Sequence, residues 1–358
     1  MNQKSNFFYI AIVFFNLVSY QNVAQDNTAS NVPEIWYMGM NDSDKPKLFM
    51  KSIGKGEPVL VLHGGFGAEH SYLIDLVAPL SSKYHFVLFD QRGSLRSPVV
   101  DSLLTFQNNI EDIEWIRKEL NIERLNIIGH SMGTRLAMAY ADAYPNRVEN
   151  LVLISPVDPA LRIPEGVTDK SQLPPPKFVL ATKYLQTRPE VKNTLLDNNI
   201  FIENKKDVKD FNYKKRLDYW RINFASVNIF NLSEWRKVIG GMNLFNSKAM
   251  RLIGGTAPEP YDYIQSLKKS GATISVVAGE YDFGNFSAMT YKQLYKEIVK
   301  PDGTQPIPEN IFLTWKDYKD ELPNLKIFTI KVAGHNPWID RPKETLKYLE
   351  IALKRVDL

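Results

Sequence analysis

The stretch "NIIGHSMGT", residues 126 to 134, sets Ser131 between Gly129 and Gly133, after an apolar run and before residues with helical spacing. A serine hydroxyl is a weak nucleophile at neutral pH. To attack a carbonyl it needs a base that takes its proton and a carboxylate that orients the base. Flanking glycines suit the sharp strand-to-helix turn on which such a serine stands, because that turn uses positive φ and packs tightly against neighbouring chain. The pattern is short enough to arise by chance, so its meaning depends on its partners.

In that setting the partners follow in the order serine, acid, histidine. Of the five histidines, His63, His70, His85 and His130 precede Ser131, and His335 alone follows it. His335 lies in "KVAGHNPWIDRP", after a strand-like run and before a loop. For the acid, Asp282 in "SVVAGEYDFG" stands just past another apolar run. That is the edge where open α/β sheets build their sites. Glu280 beside it and Asp158 after "LVLISPV" are the rival carboxylates.

A developing oxyanion needs donors. The backbone N–H of Met132, at the start of the expected helix, is one, and the glycine turn "HGGFG" offers another from Gly65. As a phosphate loop "HGGFG" lacks the Lys-Ser or Lys-Thr pair, and it lacks the spacing of a dinucleotide fingerprint. There is no H-E-x-x-H or comparable ligand cluster, so neither a metal nor a cofactor is expected.

These residues must be carried by a scaffold, and the chain supplies a regular one. "IWYMGM" and "KLFMKSIG" alternate like two half-buried strands around a turn, and "PVLVLHGGFG" is a continuous apolar run that suits a strand buried on both faces. Helix-like "HSYLIDLVAPLSSK", strand-like "HFVLFD", helix-like "NIEDIEWIRKEL", strand-like "LNIIG", helix-like "TRLAMAYADAY" and strand-like "VENLVLISP" follow. That alternation predicts a mostly parallel sheet with helices on both faces. Residues 157 to 271 break it with a helical, aromatic-rich stretch containing prolines 174 to 176, read as an insertion. The sheet pattern resumes over 272 to 358 with "TISVVAGE", "LKIFTIKVAGH" and a closing helix. The core therefore has a first part at 30 to 156 and a second at 272 to 358.

Composition narrows the class further. The chain has 358 residues, 44% of them hydrophobic and 12% aromatic, enough for a large core. A net charge of +4 with scattered Lys and Arg gives no electrostatic footprint for nucleic acid. There is no cysteine, which excludes disulfides, thiolate catalysis and cysteine-bound zinc. Residues 1 to 25, with Lys4 ahead of an apolar run from Phe7 to about Val18, have the layout of a secretory signal peptide. Export to the periplasm or the medium is the expectation, with no stable membrane partner unless the segment is uncleaved.

Taken together, "LHGGFG", "FDQRGSLRSP", "GHSMG", "GEYD" and "AGHNPW" resemble the α/β-hydrolase superfamily, and within it the proline iminopeptidase-like serine peptidases. The chain departs from that branch at Leu95, where a second glycine is usual, at Met132, where Trp is usual, and at Phe66, where Pro is usual. The resemblance implies an α/β-hydrolase fold with a helical cap at 157 to 271. It also implies a Ser131, Asp282 and His335 triad acting on a small-molecule or short-peptide substrate through an acyl-enzyme. Asp90 and Arg92 read as braces for the loop beside the oxyanion turn. An aminopeptidase would need carboxylates near the cap for the substrate's amine, and Glu203, Asp207, Asp210, Asp218 and Glu234 are available, though such residues usually belong to solvated helix surface. The residues that bind substrate are not identified by sequence. A carboxylesterase or lipase-like enzyme is the alternative, and a non-catalytic binding protein on the same fold is the third reading.

Overall fold

The structure, a computed structural model, describes residues 34–39, 46–162, 177–201, 207–238, 245–286, 288–299 and 313–354. The expected signal peptide and prolines 174 to 176 lie outside these residues. Among the described residues no helix is long and apolar enough to cross a membrane.

Two antiparallel strands, β1 (Glu34–Met38) and β2 (Leu48–Gly54), open the chain as the alternation predicts. There follow β3 (Glu57–Leu62), α1 (Ile74–Val77), β4 (Tyr84–Phe89), α2 (Phe106–Glu119), β5 (Leu125–His130), α3 (Met132–Ala143) and β6 (Val148–Ile154). Next come the short β7 (Ala160–Leu161), then α4 (Lys177–Gln186), α5 (Pro189–Asp197), α6 (Asp207–Asp210), α7 (Tyr213–Asn228) and α8 (Ser247–Thr256). The short β8 (Tyr261–Asp262) and α9 (Ile264–Ser270) lead into β9 (Thr273–Gly279). The chain ends with α10 (Ala288–Val299), β10 (Leu325–Ile330), α11 (Pro337–Asp340) and α12 (Pro342–Leu353).

The main sheet runs β1-β2-β4-β3-β5-β6-β9-β10. It is antiparallel where β2 meets β1 and β4, and parallel across the rest. Successive side chains of a strand point to opposite faces. Leu60, Leu62, Ile127, Leu151, Leu153 and Val276 accordingly join one buried cluster with residues of α2, α3 and α9. Val59, Val61, Ile128, Val152, Ile154 and Val277 join the other, with residues of α1 and α12. Both faces are covered, which is why these strands read as unbroken apolar runs.

One expected helix comes out broken. "HSYLIDLVAPLSSK" forms 3-10 turns at Ser71–Leu73 and Ala78–Leu80 around the four-residue α1. Pro79 brings no N–H, so it cannot sit inside a continuing helix.

Helices α4 to α8 form the helical insertion that the pattern and the resemblance imply. Part of it has its own small apolar centre, with Val191, Ile222, Ile229 and Trp235 among its members. The end nearest β9 differs. Ala249 and Ile253 of α8, and Ile264 and Leu267 of α9, pack into the core cluster instead.

Candidate active site

Ser131 occupies the single-residue turn between β5 and α3, with φ 53° and ψ −124°. Positive φ is costly for a residue with a Cβ and persists only where the surroundings enforce it. Here they do. A Cβ on Gly129 would stand 2.8 Å from the carbonyl oxygen of Gly133, and one on Gly133 would stand 2.5 Å from that of Leu62. The Ser131 N–H donates to Ile154 of β6 at 3.1 Å, and its carbonyl accepts from the Thr134 N–H at 2.9 Å. Ser131 itself is only partly buried, so its side chain remains reachable.

The "HGGFG" turn, residues 63 to 67, follows β3 and lies against this serine. A Cβ on Gly64 would come within 2.7 Å of the Ser131 Cβ. The turn is pinned by Gln91, whose N–H donates to His63 Nε2 at 3.1 Å and whose side-chain amide donates to the His63 carbonyl at 2.8 Å. Burial pushes the His63 imidazole below its usual pKa, consistent with a neutral ring that accepts at Nε2. Gly65 has φ +68° and is half-exposed, whereas Gly64 is buried with its N–H given to the Tyr72 hydroxyl. Met132 is the first residue of α3, where N–H groups have no partner within the helix.

His335 is buried in the loop between β10 and α11, and its Nδ1 lies 2.7 Å from Asp282 Oδ1. Asp282 is fully buried just past β9, and Phe283 stacks on the imidazole with ring centroids 4.1 Å apart. With Nδ1–H given to the carboxylate, the neutral ring keeps Nε2 free as a base. The ring of His130, the residue before Ser131, is 4.7 Å from that of His335. Asp282 is thus the carboxylate brought to His335. Its two rivals are engaged elsewhere: Glu280 pairs with Lys331 at 2.7 Å and Asp158 with Lys177 at 2.6 Å.

The histidine loop has supports that the sequence did not announce. Asp340 accepts N–H groups from Gly334 at 2.8 Å, Phe230 at 2.8 Å and Asn231 at 2.9 Å. The Asn336 N–H donates to the Asn228 carbonyl at 2.7 Å. Burial raises the Asp340 carboxyl above its ordinary pKa, and the three N–H groups act against that rise. No local motif marks Asp340, since two of its three partners, Phe230 and Asn231, lie in another part of the chain.

Arg92 makes two hydrogen bonds to Asp112 of α2, at 2.5 and 2.7 Å, and a third to the Leu103 carbonyl. Asp90 accepts from the His70 N–H and from Arg96, and meets His70 Nδ1 at 2.7 Å. Asp90 thereby holds the segment that follows the glycine turn, while Arg92 ties its own loop to α2. Glu69, His70 and Asp90 are close enough to share a cation, but the Arg96 guanidinium already lies among them, 2.7 Å from Glu69 and 2.6 Å from Asp90. In the cap, Asp218 pairs with Lys214 and Glu234 with Lys237, each at 2.6 Å, and Asp210 is exposed. Asp210 and Glu234 thus belong to helix surface, whereas Asp218 is buried on α7 beside its lysine partner. Glu203 and the side chain of Asp207 lie outside the described residues.

Residues 57–224 match the family model described as the alpha/beta hydrolase fold. A proline iminopeptidase of Heyndrickxia coagulans is 38% identical over 105 residues, 29% of this chain and 36% of the relative. Another from Arabidopsis thaliana is 36% identical over 121 residues, 31% of this chain and 30% of the relative. The matched stretches thus span about a third of these relatives' length. Among solved structures, the proline iminopeptidase-related protein of Thermus thermophilus gives a TM-score of 0.54 at 19% identity, covering 90% of this chain and 97% of that one. A bromoperoxidase from Bacillus anthracis gives 0.55 at 18% identity, covering 90% and 100%. Similarity at that identity speaks to the fold. With the sheet order, the strained serine turn and these matches in agreement, the chain has the α/β-hydrolase fold and resembles the proline iminopeptidases built on it.

Proposed function

We propose that the protein is a serine hydrolase of the aminopeptidase type, acting on short peptides or amides through an acyl-enzyme. The observation that carries this reading is the buried Asp282–His335 hydrogen bond of 2.7 Å at the sheet edge that also holds the positive-φ turn of Ser131. Ser131 Oγ attacks the substrate carbonyl while His335 Nε2 takes its proton, and Asp282 stabilises the imidazolium that forms. The N–H groups of Gly65 and Met132 receive the oxyanion. Collapse of the tetrahedral species breaks the acyl bond, and the leaving group takes the proton from His335. Water then enters, gives a proton to His335, and releases the acid and free Ser131.

The similarity to proline iminopeptidases favours an amide substrate. The carboxylesterase reading has an observation of its own, the aromatic side chains that the cap leaves exposed, Phe178, Tyr213 and Trp220. Hydrolysis of a prolyl arylamide, set against short and long p-nitrophenyl esters, separates the two. Ester turnover without arylamide turnover would replace the peptidase with an esterase. A fluorophosphonate probe should label wild type and fail on Ser131→Ala, with well-folded but unlabelled wild type refuting both. Residues 1 to 25 are proposed as a cleaved secretory signal that sends the protein to the periplasm or medium. Mass spectrometry on protein from the native host would refute this by finding Met1 retained.

A further inference from the structure

We propose that Tyr72 and His130 are positioning residues that tie the oxyanion turn to the histidine loop through a one-way chain of hydrogen bonds. The proposal rests on the serine-hydrolase reading above. The Gly64 N–H donates to the Tyr72 hydroxyl at 2.7 Å, and that hydroxyl lies 2.7 Å from His130 Nδ1. His130 Nε2 is 3.2 Å from the backbone carbonyl oxygen of His335.

Each direction in this chain follows from the next. A carbonyl can only accept, so Nε2 of His130 carries the ring proton. The neutral ring then offers Nδ1 as an acceptor, Tyr72 gives it the hydroxyl proton, and the Tyr72 oxygen is left to receive Gly64. Burial, helped by the neighbouring His335, pushes the His130 imidazole well below its ordinary pKa, which keeps the ring neutral. Burial also pushes the Tyr72 phenol up, so its proton stays in place. Trp338 packs edge-on against the buried His130 at 5.1 Å and lies 6.2 Å from the half-buried Tyr72, covering the His130 end of the chain. Hydrogen bonds in such surroundings are stronger and stiffer than exposed ones.

The chain acts at both ends of the site. At one end it commits the Gly64 N–H, so the turn presents its next N–H, that of Gly65, to the oxyanion. A Cβ placed on Gly64 would meet the Ser131 Cβ at 2.7 Å and the Tyr72 hydroxyl at 3.1 Å, so the tyrosine oxygen and the serine both crowd the same glycine. At the other end it fixes the main chain of His335. Tyr72 stands in the 3-10 turn Ser71–Leu73 that leads into α1.

The test compares wild type, Tyr72→Phe, His130→Asn and His130→Ala by thermal melting, fluorophosphonate labelling rate and p-nitrophenyl acetate kinetics. A misplacement near 1 Å can cost about 100-fold in rate, so Tyr72→Phe should lower kcat and labelling by roughly 10- to 100-fold while KM changes little. His130→Asn keeps an acceptor near the place of Nδ1 and should retain more kcat than His130→Ala. In wild type, ¹⁵N spectra should show His130 neutral and protonated on Nε2 across roughly pH 5 to 8. Wild-type kcat and labelling in folded Tyr72→Phe, or a His130 proton on Nδ1, would overturn the proposal. Folded wild type that resists labelling would overturn the serine-hydrolase reading and this one with it.

Discussion

The serine turn and the histidine loop stand at the same edge of one sheet but are held by different means. The serine turn is fixed by main-chain crowding within the core: Gly129 and Gly133 admit no Cβ, and the bonds of Ser131 go to β6 and α3. The histidine loop shares that device at Gly279, where a Cβ would meet the Gly334 carbonyl oxygen at 2.2 Å. It also leans on the insertion, because Asn228, Phe230 and Asn231 supply hydrogen bonds to Asn336 and Asp340. A disturbance in the cap should therefore reach His335 before Ser131.

The comparison can be broken most directly at the turn. Gly133→Ala would set a Cβ 2.5 Å from a backbone oxygen that cannot swing away. Overpacking of this kind costs about 3 kcal/mol or more, so the urea midpoint should fall steeply and activity should vanish. Next in size is Asp340→Ala, which strips three N–H groups of their acceptor. The expected loss is about 2 to 4 kcal/mol in stability and 10- to 100-fold in kcat, with Asp340→Asn intermediate. A kcat unchanged in Asp340→Ala would show that the loop does not need the insertion.

Arg188 reaches the same corner from inside the cap, donating to the carbonyls of Leu185, Ser226, Ile229 and Phe230. Arg188→Ala should lower kcat several-fold and speed amide exchange at Gly334 and Asn336. Exchange at Gly129 to Gly133 should stay unchanged. Equal acceleration at both places would erase the distinction.

The serine side has a pH-dependent brace of its own. Glu114 of α2 accepts from Arg117 and from the Tyr140 hydroxyl of α3, and the Arg117 hydrogen bond holds its carboxyl at about 2, against 4.5 ordinarily. A depressed carboxyl adds stability above the unfolded-state pKa and loses it as pH falls through the folded value. Glu114→Gln should thus be less stable than wild type at pH 7, by about 2 kcal/mol. Melting curves of the two should converge as the pH drops from 4.5 toward 2. The smallest effect is expected at Val332, a β-branched residue at φ 53° ahead of the histidine loop. Val332→Asn should gain up to about 1 kcal/mol, because asparagine tolerates that conformation.

Much of this was legible in the residues. The alternation of apolar runs gave the sheet and its helical interruption, and the glycine pattern and chain order singled out Ser131, which stands on a positive-φ turn, and His335, which the fold brings to Asp282. Two things escaped. The run around Pro79 has helical spacing, yet the missing N–H breaks it into short turns. Two of the three partners of Asp340, Phe230 and Asn231, lie about a hundred residues back, so nothing in "WIDRP" marks it.

The sequence by itself determined the features that are local in backbone terms: strands buried on both faces, glycines where the chain admits no Cβ, and a serine forced to positive φ between them. Only the tertiary structure decided among Asp282, Glu280 and Asp158, all of which follow strand ends. Loop geometry 53 residues away chooses the carboxylate that meets Nδ1 of His335, while lysines claim the other two. The tie from Gly64 through Tyr72 and His130 to the loop is of the same kind, because a hydrogen bond depends on where folded segments meet and leaves no spacing in the chain.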